Sequence, residues 1–251
     1  MRVYIGNDHV AAMRYIPNTC FSIKVLINRR KPMPSPRGGF MLDSGGFQFI
    51  RQLGKYPLTP EEYLKKVAFL QPDIFVIQDW MCEPSQVQRT GLSAREHIRR
   101  TVENYLYISE LKENASNDIK GYCLPVLQGW GIEDYFSCID LYEDYGLIAP
   151  YMAVGSICRR GKEKEIREII ENIHAAIPKI KLHGLGVKKQ VLYECRDILH
   201  SGDTAAGQFM KKDNEGRWIT TKHGYYQLLQ EYYFSLQKRT IEIRGKGQDG
   251  R

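Results

Sequence analysis

Long apolar runs are missing from this 251-residue chain, and none reaches the length that a bilayer span needs. The opening MRVYIGNDHV carries no signal-peptide h-region. The expectation is a soluble cytoplasmic protein with no membrane partner. There is also no C-x-x-C pair. Six cysteines, Cys20, Cys82, Cys123, Cys138, Cys158 and Cys195, are scattered along the chain. That suits reduced thiols and argues against a disulfide frame or a zinc cluster. No G-x-G-x-x-G follows the first strand-like run, so a dinucleotide-binding sheet lacks its fingerprint. Low-complexity segments, sequence repeats and a convincing domain boundary are absent too.

What is present is a basic balance and a regular alternation of short apolar runs with amphipathic stretches. The formal charge is +7, and residues 211–251 hold nine Lys/Arg against five Asp/Glu. Such a balance permits a phosphate-backbone partner without identifying one. Strands are predicted at 2–7, 39–43, 73–78, 123–128, 151–154, 179–183 and 198–201. Thr59-Pro60-Glu61-Glu62 opens a helix, with Thr59 as N-cap, Pro60 at N1 and Glu62 closing a capping box. Ser93 with Glu96 predicts a second box. Further helices are expected over 132–145, 163–176, 188–197 and 223–239. Residues 21–27 suit either helix or strand, and 28–37 reads as a basic, Pro-rich loop.

Strand–helix alternation sustained over this length means a parallel sheet. An α/β fold of the closed (β/α)8 type, the TIM-like barrel, is the expected architecture, with an open doubly wound sheet as the rival. Seven strands can be counted; residues 218–222 are the candidate for the eighth. A single barrel domain is predicted over 1–240, followed by a basic, disordered tail over 241–251.

In such a barrel the active site lies at the C-terminal ends of the strands. Those ends are Asp43, Asp79, Gln128, Gly155-Ser156, His183-Gly184 and Asp203. One polar residue after an apolar run means little. Six in succession, with carboxylates first and last, form a constellation.

The first of these ends is the most informative. In Gly38-Gly39-Phe40-Met41-Leu42-Asp43-Ser44-Gly45-Gly46-Phe47-Gln48 a buried strand ends in a carboxylate, and two glycines then open the backbone to a ligand. The string D-S-G-G-F-Q resembles the signature of the tRNA-guanine transglycosylase superfamily. Ile77-Gln78-Asp79 with Cys82-Glu83-Pro84 resembles that family's base-reading Asp segment, and Pro125-Val126-Leu127-Gln128-Gly129 its V-Q-G segment. Ala153-Val154-Gly155-Ser156 resembles its I-G-G segment, and Leu182-His183-Gly184-Leu185-Gly186 its M-G-V-G segment. The resemblance covers roughly residues 38–210, in the correct order.

The resemblance implies that Asp43 is the general acid/base and that Phe47 stacks on the exchanged base. His183, where the family usually has Met, would cover the other face. Guanine and its 7-deaza analogues offer N–H donors at positions 1 and 2 and an acceptor at O6. Asp79 can accept both donors, and Gln128 and the backbone near Gly155 can donate to O6. Ser44, Gly45, Gly46, Gly129, Ser156 and Gly184 complete the expected base site.

Base exchange at C1′ needs a nucleophile to trap an oxocarbenium-like centre, and Asp203 is the candidate. Its setting, Ser201-Gly202-Asp203-Thr204, departs from the apolar-F-D-C-x-x-P-T-R of the tRNA enzymes. It is similar to the S-x-D-[ST] of the deazapurine DNA modification protein A (DpdA) branch. No cysteine follows Cys195, so the zinc site of the tRNA enzymes cannot be built, and no cofactor is expected. The implied partners are DNA, with tRNA as the alternative, a guanine or 7-deazaguanine base such as preQ0 or preQ1, and a helper ATPase. Arg159, Arg160, Lys188, Lys189, Lys211 and Lys212 are the candidates to hold a nucleic-acid backbone. A zinc-free tRNA transglycosylase, a non-catalytic binding subunit and a sugar hydrolase are the rival readings.

Overall fold

The structure is a computed structural model that describes residues 1–115, 118–205 and 221–245. Strand β1 (Arg2–Gly6) leads through a short 3-10 turn (Val10–Arg14) to β2 (Thr19–Ser22) and the one-turn helix α1 (Ile23–Leu26). Then come β3 (Phe40–Asp43), α2 (Gly46–Leu53), α3 (Pro60–Leu70), β4 (Ile74–Val76), α4 (Pro84–Thr90) and α5 (Ala94–Asn114). β5 (Tyr122–Leu124) and β6 (Val126–Leu127) precede α6 (Ile132–Asp144) and β7 (Tyr151–Val154). The order finishes with α7 (Glu163–Ala176), β8 (Lys181–Gly184), α8 (Lys189–Glu194), β9 (Leu199–Thr204) and α9 (Lys222–Gly245).

Among the described residues all nine strands are parallel, in the order β5-β4-β3-β2-β1-β9-β8-β7-β6. β5 and β6 are one run of chain broken only by Pro125, which has no N–H to give to a ladder. The first half pairs with β4 and the second with β7, so this run brings the two edges of the sheet together into a barrel. The Pro125 carbonyl still accepts from Ala153 N at 2.8 Å, which carries the ladder across the break.

The eighth strand position is β2, Thr19–Ser22, between β1 and β3. It corrects the expectation for 218–222: Lys222 opens α9, and 218–220 lie outside the described residues. Thr-Cys-Phe-Ser is half polar and unpunctuated, so its strand character comes from two neighbours that bury it. The first two strands are joined by the 3-10 turn alone, without a long helix. α9 packs on β1 on that side, with Tyr226 stacked on Tyr15 at 4.9 Å and Asn18 Nδ2 donating to the Tyr233 hydroxyl at 2.9 Å. α9 continues past residue 240 to Gly245.

Helix starts follow local chemistry. Thr59 and Glu62 form both bonds of the predicted capping box. At Ser93 only half of the predicted box forms. Ser93 accepts from Glu96 N at 3.1 Å, but the Glu96 carboxylate turns to Arg99 and Arg100. Two salt-bridging guanidiniums outcompete one backbone N–H for the same oxygens.

Buried tyrosines on the outer helices tie down the strand ends. Tyr63 of α3 donates to Val76 O at 2.6 Å, Tyr142 of α6 to Val126 O at 3.1 Å, and Tyr135 of α6 to Gly155 O at 2.7 Å. All three side chains are fully buried. Each ring therefore adds apolar burial to the core while its hydroxyl satisfies a carbonyl at the barrel mouth.

Candidate active site

Parallel pairing carries every predicted strand end to the same mouth. Asp43 is the last residue of β3 and half-buried. Its Oδ2 accepts from Gly45 N at 2.9 Å, a bond that needs the left-handed φ of 71° at Gly45. A Cβ at Gly45 would also stand 2.8 Å from the Phe49 ring, so glycine is required twice over. Burial, then the charges of Asp79 and Asp203, push the Asp43 carboxyl up to about 7; the Gly45 N–H and the Ser22 hydroxyl pull the other way. A carboxyl poised there can both give and take a proton near neutral pH. Ser22 belongs to β2, in register with Asp43.

Asp79 lies three residues beyond β4 and is buried. Ser44 Oγ donates to its Oδ1 at 3.0 Å, and Gln128 Nε2 to its Oδ2 at 2.5 Å. The Tyr56 hydroxyl donates to the Asp79 carbonyl at 2.7 Å and lies 3.5 Å from Oδ1. Burial raises the Asp79 carboxyl above its usual range, and the three side-chain donors oppose that. Gln128, with no exposed surface, accepts from Ser156 Oγ at 2.6 Å through Oε1. Its carboxamide is thus held in one orientation, with the NH2 group on Asp79. Each Asp79 oxygen keeps acceptor capacity for a further N–H.

Ser156 follows β7 with a positive φ of 52°, a strained conformation of the kind that clusters at functional sites. Its hydroxyl accepts from Cys82 N at 2.8 Å and lies 3.1 Å from Glu83 Oε2. A hydroxyl has one hydrogen, so Gln128 Oε1 at 2.6 Å and Glu83 Oε2 at 3.1 Å compete for it. Burial pushes the Glu83 carboxyl up, and the Ser156 hydroxyl opposes that. His97 holds the same segment from below: Nδ1 donates to Met81 O at 2.6 Å, and Nε2 is 2.7 Å from Thr90 Oγ1.

Two glycines do something other than open the backbone to a ligand. A Cβ on Gly155 would lie 2.3 Å from Gln128 Nε2, and one on Gly46 would lie 2.2 Å from the Tyr56 hydroxyl. Their absent side chains make room for the residues that hold Asp79. Gly184 and Gly129 are likewise hemmed in, by Val187 and by Tyr135.

Asp203 lies on β9 with 14% of its side chain exposed. Its Oδ1 accepts from Gly186 N at 2.9 Å and lies 3.3 Å from His183 Nε2. His183 is wholly buried, edge-on to Tyr4 and Tyr151, beneath Asp203. It therefore presents no ring face to a base at the mouth, contrary to the expectation that it would cover one. Phe47, in the first turn of α2, is half-buried, with the Arg159 guanidinium 4.7 Å over its ring.

The basic candidates separate. Arg159 is exposed. Arg160 is turned inward with 1% of its side chain exposed; it donates to Ser156 O, Trp130 O and Glu165. That makes it a brace for the Gly155–Ser156 turn, unavailable to a phosphate. Lys188 donates to Gly161 O at 2.9 Å, and Lys189 lies 5.5 Å from the Tyr232 ring. Lys211 and Lys212 lie outside the described residues. Tyr56, Glu83 and Ser22 were not expected at the site. Glu83 had a signal in the Cys82-Glu83-Pro84 string, but Tyr56 and Ser22 had none.

Among the described residues, no group of three or more His, Cys, Asp or Glu could hold a metal ion. No helix among them is long and apolar enough to cross a membrane. The family of DpdA, deoxypurine in DNA protein A, matches residues 1–229. The chain belongs to the DpdA family. That family is the DNA branch of the tRNA-guanine transglycosylase superfamily, and membership implies a transglycosylase-type enzyme. No curated protein matches the chain. The DpdA match covers every strand described above and reaches the first two turns of α9.

Proposed function

We propose that this DpdA-family protein exchanges guanine in DNA for a 7-deazaguanine, through a covalent bond between Asp203 and C1′ of the deoxyribose. The observation that carries this reading is the set of three carboxylates at one barrel mouth, divided by their hydrogen bonds. Asp79 has donors on both oxygens, whereas Asp43 and Asp203 each have backbone N–H on a single oxygen. Asp79 with Gln128 reads the base, Asp43 moves the proton, and Asp203 attacks.

The chemistry balances in two halves. In the first, Asp203 forms a bond to C1′ as the C1′–N9 bond of guanine breaks, and Asp43 in its acid form protonates the leaving base. In the second, the incoming base loses its N9 proton to Asp43, bonds to C1′ and releases the Asp203 carboxylate. A carboxyl poised at about 7 serves both halves. The target nucleotide must leave the base stack to reach a barrel mouth. Phe47 would supply a stacking face, and the exposed Arg159 over its ring would meet phosphate.

The test supplies radiolabelled guanine or preQ1 with duplex DNA, single-stranded DNA and total tRNA in parallel. Label should enter DNA and return as a deoxynucleoside after nuclease digestion. Incorporation confined to tRNA would overturn the DNA assignment and leave the two-carboxylate mechanism in place.

A further inference from the structure

β8 and β9 do not pair in simple register. Leu182 faces Leu199, but His183 faces Ser201 and Gly184 faces Gly202, so His200 is one extra residue on β9. A continuous register would set His183 opposite His200, which is exposed. Bulges of this kind re-aim side chains and occur beside active sites. Here the bulge delivers Ser201 Oγ to 2.7 Å from His183 Nδ1 and Asp203 Oδ1 to 3.3 Å from His183 Nε2. The Tyr151 hydroxyl, on β7, stands 2.5 Å from Ser201 Oγ.

The direction of these bonds follows from donor counting. An ionised Asp203 only accepts, so His183 Nε2 carries the hydrogen. A neutral imidazole then has an acceptor at Nδ1, and Ser201 donates to it. Ser201, with its single hydrogen committed, accepts from the Tyr151 hydroxyl. The chain Tyr151, Ser201, His183, Asp203 runs one way and ends on the carboxylate.

We infer that His183 is the positioning residue of the nucleophile. Together with Gly186 N–H it holds Asp203 by Oδ1, and among the described residues no donor reaches Oδ2. Oδ2 is therefore the oxygen that bonds to C1′, while Oδ1 becomes the ester carbonyl and keeps its two donors. When the second base arrives and the Oδ2–C1′ bond breaks, those same donors stabilise the carboxylate that re-forms. The inference rests on the reading of Asp203 as nucleophile and adds the residue, the tautomer and the attacking oxygen. The Met of the superfamily's M-G-V-G segment has no N–H to offer; here the bulge, Ser201 and His183 form one local device.

Two measurements test it. The first needs no substrate. Nitrogen-15 spectra of labelled protein at pH 7, with His183 assigned by its loss in His183→Gln, should show a ring that carries a hydrogen on Nε2. A ring protonated at Nδ1 alone, with a bare Nε2 toward Asp203, would overturn the inference. The second compares two amides. Gln can place an N–H where His183 Nε2 lies, while Asn reaches only the Nδ1 position. His183→Gln should keep the rate of covalent adduct formation within about tenfold, and His183→Asn should lose about a hundredfold, the order expected for a misplaced reacting group. KM for the base should stay unchanged in both, and thermal melts show that each variant is folded. Equal adduct rates in the two variants would overturn the positioning role. A wild-type protein that forms no adduct with any nucleic acid would instead sink the nucleophile reading itself, whatever the tautomer.

Discussion

The two sides of the barrel mouth are built on opposite rules. On the Asp79 side, Ser44, Tyr56 and Gln128 surround one buried carboxylate, and Gln128 is held in turn by Ser156, which Glu83 flanks. On the Asp43 and Asp203 side each carboxylate is partly exposed and takes a backbone N–H on one oxygen, with the Ser22 hydroxyl beside Asp43 and His183 Nε2 beside Asp203. A fully bonded carboxylate in a dry pocket is fixed in place and reads shape and hydrogen-bond pattern. A carboxylate anchored by one oxygen keeps the other for bond making or proton transfer. The difference gives the three aspartates of one mouth distinct environments.

The largest expected effect separates the two sides most sharply. Asp203→Asn should abolish the covalent adduct on denaturing gels while the protein stays folded. An adduct that survives would move the nucleophile elsewhere. Next, Asp43→Asn should slow exchange by about 10²–10⁴-fold, the usual worth of a positioned acid/base. The same variant should reveal what the wild-type carboxyl costs the fold. Asp43 is raised in the folded protein, so wild-type stability is fullest below the unfolded value near 4 and falls as pH rises through about 7. Asp43→Asn lacks that loss, so its melting temperature should exceed wild type above pH 7 and converge with it near pH 4. A gap that stays constant with pH would mean the carboxyl is not perturbed.

On the reading side, Asp79→Ala should weaken guanine binding by about 1–3 kcal/mol, because N–H donors would be left unpaired in a dry pocket. Retention on a heparin column should not change; equal loss of both would mark Asp79 as structural. The smallest effect tests the scaffold. Tyr135→Phe leaves the Gly155 carbonyl without its donor at the cost of about 1–3 kcal/mol of stability. Denaturant titration measures that loss, and guanine affinity should fall with it if the Gly155–Ser156 turn helps to read the base.

Much of this was legible along the chain. Asp43, Asp79, Gln128, Gly155 and Asp203 could be picked out because an apolar run that stops at a polar residue marks a strand end. Parallel strands then bring such ends together. β2 was not legible: Thr19–Ser22 has too little apolar character to mark a strand, and its neighbours supply the burial. Arg159 and Arg160 are adjacent and chemically identical in the sequence. One lies exposed over Phe47 and the other is buried against Trp130, a division set by the turn after β7. Gly46 and Gly155 look like ligand-facing glycines until Tyr56 and Gln128 are found in the space beside them.

The sequence alone thus determined the strand–helix rhythm, the α/β class, the common mouth and the identity of the carboxylates there. These depend on local hydrophobic periodicity and on chain direction. Only the tertiary structure decided which carboxylate oxygens are occupied, how Gln128 is oriented, and that His183 faces Ser201 and Asp203. Those features depend on strand register and on packing between residues far apart in the chain. A single extra residue in β9 changes the register without leaving any mark in the local pattern.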